Sequence, residues 1–120
     1  MTMKSTTIKV TTTGGAGVAT GSGVSASPIM GKIRGIQYAY HASAPATTDV
    51  TVKRTGGANL HVRSNSVTPG MVVPAAAPED AAGAAIAGAA LPPPIADSVT
   101  VTVAQCDALT DAVVVTVYWD

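Results

Sequence analysis

Apolar and polar residues alternate along most of this chain, and period-two alternation is the signature of strands with one face buried. Ser5 to Thr12 reads STTIKVTT, with Ile8 and Val10 on one face. Val18 to Ser25 is a Gly/Ser-diluted second segment with Val18 and Val24 in phase. Lys32 to Tyr40 (KIRGIQYAY) places Ile36, Tyr38 and Tyr40 on one face and Ile33 on the other. DVTVK (49–53), NLHVR (59–63) and SVTVTV (98–103) alternate cleanly, and VVVTVYW (113–119) is nearly continuous, as a central strand would be.

The separators are turn chemistry. Gly14-Gly15-Ala16-Gly17 divides the first two segments, and HASAPATT (41–48) divides the third from the fourth. Gly56-Gly57-Ala58-Asn59 predicts a tight hairpin between DVTVK and NLHVR, and DALTD (107–111) predicts a second short connection. Short Val/Thr strands at this spacing predict one all-β domain over 1–120, a single antiparallel β-sandwich or jelly-roll-like fold. Pro74 to Ala96 interrupts the pattern with an Ala/Pro/Gly-rich excursion. Pro78-Glu79-Asp80 suits a helix start, but Gly83, Gly88 and Pro92-Pro93-Pro94 limit the segment to one short helix at most. An excursion of this length is expected to be a partner-contacting arm.

Composition sharpens this picture. The chain is 47% hydrophobic but only 3% aromatic, with no Phe, so the core must come from Val, Ile, Ala and Leu. Such a core is thin, and contacts with other subunits would add burial that the monomer lacks. Charged residues make up 12% and the net charge is zero, which argues against a nucleic-acid partner. The basic residues all fall in the first 63 positions, whereas Asp49 is the only acid there. Such asymmetry is the kind that orients surfaces meeting in an assembly. No segment approaches the ~20 apolar residues of a membrane helix, and no apolar leader core follows a basic start. Synthesis in a reducing cytoplasm is the expectation, and a membrane partner is not expected.

Catalytic, cofactor and metal chemistry find little support. Gly21-Ser22-Gly23-Val24-Ser25-Ala26 fits G-x-G-x-x-A, but Ser27-Pro28 and another strand follow where a dinucleotide site needs a helix. His41 and His61 have no metal-ligand spacing to Cys106 or to the acids. His61 is expected as an exposed or interfacial strand residue. Cys106, the only cysteine, follows a Val/Thr strand and is expected to behave as a small apolar residue. Tyr38 and Tyr40 are expected to anchor the core with hydroxyls at its edge. Trp119, expected at a sheet edge near the terminus, is the better interface candidate.

Several segments together resemble a known class. They are STTIKVTTTGGAGVATGSG, then GKIRGIQYAYHASAPATTDVTVKRTGG, NLHVRSNS, the excursion with PEDAAGAA, DSVTVTVAQCDAL and VVVTVYWD. The most telling piece is Gly31-Lys32-Ile33 with Ile36 and Tyr38, followed by a small-residue loop and Thr47-Thr48-Asp49-Val50-Thr51-Val52. The chain resembles capsid decoration (cement, head-stabilising) proteins of tailed phages, which have a β-sandwich or jelly-roll fold. The resemblance implies a virion structural protein rather than an enzyme. Its partner would be the major capsid protein, on the outer surface of the capsid, where it bridges capsomers. It also implies self-association, as a trimer in preference to a dimer. Under this reading Met1, Thr2, Met3, Lys4, Ala84, Ile86, Leu91, Pro92 and Trp119 are the candidate contacts. A neck, tail or fibre-attachment subunit and a carbohydrate-binding β-sandwich module are the alternatives.

Overall fold

The alternating segments form strands because β-branched Val, Ile and Thr fit a pleated, half-buried surface. In a computed structural model, residues 2–75, 81–84, 88 and 90–120 are described. Among them are β1 (Lys4–Val10), β2 (Ala19–Val24), β3 (Ile29–Tyr40), β4 (Asp49–Arg54), β5 (Asn59–Arg63), β6 (Gly70–Val72), β7 (Pro94–Asp97), β8 (Val99–Cys106) and β9 (Val113–Trp119). One sheet has the order β1-β9-β3-β6, with β7 also pairing β3; the other has the order β2-β8-β4-β5. All pairings are antiparallel. The two sheets pack face to face as an all-β sandwich.

The core between them is aliphatic. Ile8, Val10, Ile29, Ile33, Ile36, Val50, Val52, Val99, Val101, Val103, Val113, Val115 and Val117 are buried, with Tyr38 the one fully buried aromatic. Cys106 is buried among them as a free thiol. β9 is central, between β1 and β3, as its continuous apolar run predicts.

Several local expectations change. Ile33 lies on the same inner side as Ile36 and Tyr38, because a bulge between Ile33 and Gly35 inserts an extra residue and resets the alternation. Val18 and Val24 do share a face, but it is the outer one, with both more than half exposed. DALTD is no hairpin: β8 and β9 lie in different sheets, so 107–112 crosses between them. The excursion is shorter than Pro74 to Ala96, since Pro94–Asp97 pairs with Ile29, Met30, Gly31 and Lys32. No helix occurs among the described residues; the expected helix start at Pro78 lies outside them.

The Gly21-Ser22-Gly23 run has a packing role. β1 and β2 belong to different sheets and meet at one closed side of the sandwich, where Thr13 and Thr20 form a bridge. A Cβ on Gly21 would lie 2.3 Å from the Thr11 carbonyl oxygen, and one on Gly23 would lie 3.0 Å from Lys9 O and Ile8 Cγ2. The glycines therefore admit one backbone against the other. Thr12 finishes the corner: its buried hydroxyl donates to Asp107 O at 2.5 Å and accepts from Leu109 N at 3.1 Å.

Candidate functional site

Opposite the closed side, β5 and the second half of β3 bring polar and aromatic side chains together between the sheets. The Tyr38 hydroxyl lies 2.7 Å from His61 Nδ1. Tyr38 and Tyr40, two apart on β3, stack with ring centroids 6.4 Å apart and planes 11° from parallel. The Arg63 guanidinium lies 4.9 Å above the Tyr38 ring, a cation–π contact, and donates to the Thr68 carbonyl. His61 is half-buried here, because its register opposite Val52 turns it inward while Val62 turns out. The expectation of an exposed His61 is thus corrected.

Burial sets the electrostatics of this cluster. Loss of water raises the Tyr38 phenol well above its ordinary value; the Tyr40 phenol adds to this and Arg63 works against it. Burial also raises the Tyr40 phenol, and Arg63 offsets part of that rise. Its hydroxyl is buried without a hydrogen-bond partner among the described residues. Burial first, then the Arg63 charge, push His61 down. The neutral imidazole this favours can accept the Tyr38 O–H at Nδ1. These groups knit β5 to β3. Tyr38, only 1% exposed, presents no open ring face, whereas Tyr40 is half-buried.

A second feature lies outside. On the outer face of the five-stranded sheet, β9 presents Val114, Thr116 and Tyr118, paired with Lys9, Thr7 and Ser5 of β1 and with Ala39, Gln37 and Gly35 of β3. The Thr7 and Thr116 hydroxyls are 3.3 Å apart, and Tyr118 Oη donates to Gln37 Oε1 at 3.1 Å. Met71 of β6, opposite Gln37, lies over Gly35. Met30 and Lys32 continue the outer side along β3, beyond the bulge. Met30 is 64% exposed and Met71 55%.

The candidate contact residues are scattered over the molecule. Lys4 and Trp119 pair across β1 and β9, with the Lys4 ammonium 4.7 Å from the indole ring. Trp119 is half-buried on the inner side of the central strand, its Nε1 donating to Thr6 at 3.2 Å, so its expected place at a sheet edge is corrected. Asp120 is fixed beside it: its backbone pairs with Lys32, and its carboxylate accepts from Arg34 Nε at 3.1 and 3.0 Å. Thr2, Met3, Ala84 and Leu91 are exposed and Pro92 is half-buried. Met1 and Ile86 lie outside the described residues.

Sequence reading missed the partnership of His61 and Arg63 with Tyr38. Alternation alone could have put His61 and Arg63 on one face, but which face, and opposite what, depends on strand order. Among the described residues no three His, Cys, Asp or Glu side chains gather as a metal site would.

No protein-family model matches the chain. No curated protein sequence matches it either. Among solved structures, the crystal structure of FLHE is similar to it with a TM-score of 0.49 and 10% identity, over 99% of this chain and 98% of that one.

Proposed function

We propose that the chain is a virion structural protein that binds the outer surface of a tailed-phage capsid and stabilises the shell by bridging capsomers. The resemblance of its segments to decoration proteins suggests the class. One structural observation carries the reading furthest: both irregular segments nominated as contacts border the same sheet. The N-terminal residues lead into β1 at one edge of the five-stranded sheet. The excursion leaves β6 and returns through β7, both of which pair with β3 at the opposite edge. Met3 and Leu91, 55% and 54% exposed, mark these two segments. A small sandwich with exposed apolar side chains around one sheet suits a protein that works packed against a larger surface.

Quantitative mass spectrometry of purified virions tests the proposal, through copies of this chain relative to the major shell protein. Copy numbers comparable to the shell protein are expected. A few copies per particle would move the chain to the neck or tail, and absence from virions would remove the reading.

A further inference from the structure

The two outer faces of the sandwich differ in chemistry. That of the four-stranded sheet carries Ser22 and Val24 of β2, Thr100, Thr102 and Ala104 of β8, Asp49, Thr51 and Lys53 of β4, and Val62 of β5. It is rich in hydroxyls and has both signs of charge. The outer face of the five-stranded sheet has Tyr118, Met30 and Met71 among uncharged Thr, Gln and Ala positions, and Val73 just beyond β6 is 75% exposed. Its outward charges along β1 and β3 are Lys9 and Lys32, and the carboxylate described on that face, Asp120 opposite Lys32, is bound to Arg34 at the bulge.

We infer that this face, with Met30, Met71 and Tyr118 as its apolar contacts and Lys9 and Lys32 as its charges, docks onto an acidic protein surface. The inference rests on the capsid reading, and it names the side of the molecule that meets the shell and the charge it meets there. Methionine adapts its shape to a partner, and tyrosine adds area at small entropic cost. With Asp120 bound to Arg34, the two lysines leave this face net positive, which favours an anionic partner and sets orientation and rate of encounter more than affinity. A second copy is a poor occupant. A two-fold pairing of this face with itself would set two net-positive faces against each other.

Oxidative footprinting tests this with the unaltered protein. Dilute peroxide converts exposed methionines to sulfoxides, and the rate at each is read by mass spectrometry, free and bound to capsids stripped of the chain. Binding is expected to slow oxidation of Met30 and Met71 at least tenfold. Lys9→Glu/Lys32→Glu is expected to weaken capsid binding about tenfold, with the native binding falling as salt rises. Val62→Asp and Lys53→Glu, on the other outer face, are expected to leave affinity unchanged, and a thermal melt of each variant checks its fold. Failure of the unaltered chain to bind capsids would overturn the function and the inference together. Binding with Met30 and Met71 still reactive, or with Lys9→Glu/Lys32→Glu at native affinity, would overturn the inference alone. Concentration-dependent protection in the free protein would assign the face to a second copy and overturn the acidic partner.

Discussion

Substituting Gly21 by alanine tests how the two sheets are joined. The added Cβ would sit 2.3 Å from Thr11 O, 3.1 Å from Thr11 C and 3.2 Å from Thr12 Cα, all backbone atoms that no side-chain rotation can move aside. Relief requires β1 and β2 to part by about 1 Å, and overpacking of this kind costs about 1–3 kcal/mol. The same shift pulls on Thr12, whose hydroxyl joins the corner to the β8–β9 crossing. Alanine also restricts the unfolded chain, which returns about 0.4–1 kcal/mol. The net expectation is a loss of roughly 1–2 kcal/mol, or a drop of about 4–8 °C in melting temperature for a domain of this size. Gly57→Ala is the matched comparison, since its Cβ would meet only Arg54 Cβ at 3.5 Å and Cδ at 3.7 Å. It should be neutral or raise the melting temperature slightly. Circular dichroism melts of the three proteins decide the matter. Equal melting temperatures for Gly21→Ala and Gly57→Ala would refute the close-approach argument.

Two further outcomes follow from the side-chain chemistry. His61 is held below its ordinary 6.5, so folding favours its neutral form. Its contribution is full above pH 6.5 and is lost as pH falls through the lowered folded value. Urea midpoints from pH 7.5 to 5 should therefore fall more steeply for the native chain than for His61→Gln, and parallel curves would contradict this. Asp120→Ala strips Arg34 of its carboxylate while leaving the backbone bonds of residue 120 to Lys32 in place. Because Arg34 is 32% exposed, water can resolvate the guanidinium, and the expected loss in urea unfolding is about 1 kcal/mol.

Much of the architecture could be read from alternation, for a physical reason. A strand with one buried face must repeat every two residues, and β4 and β9 do so throughout and β8 as far as Val103. The failures cluster where a single residue breaks the period. At Arg34 the bulge resets the phase, so Ile33 joins the core although counting by two puts it outside. In β5 the register shift beside Lys53 lets both Leu60 and His61 turn partly inward. Sheet membership was not legible either: a tight turn such as DALTD serves a hairpin and a crossing equally well. The candidate site suffered most, because Tyr38, His61 and Arg63 meet only through the order of strands. The outer face was half legible: Gln37 and Ala39 alternate with core residues in the sequence, whereas their alignment with Thr116 and Met71 needs the pairing.

The zero net charge also takes on a different meaning once the acids are placed. Asp49 accepts from Asn65 N, Asp97 from Gly56 N and Ser98 N, and Asp107 from Gly17 N. Asp120 is committed to Arg34. These carboxylates are taken up by backbone N–H groups of turns and a strand end or, for Asp120, by Arg34. Lysine cannot take that place, because an ammonium has no acceptor for a backbone N–H. Lys9 and Lys32 instead extend from the five-stranded sheet, and their field is the one an approaching surface meets there. A chain that is neutral by count therefore sets Lys9 and Lys32 on one sheet face with exposed Met30 and Met71. This asymmetry follows from the acceptor chemistry of Asp in turns and the outward phase of two lysines in strands.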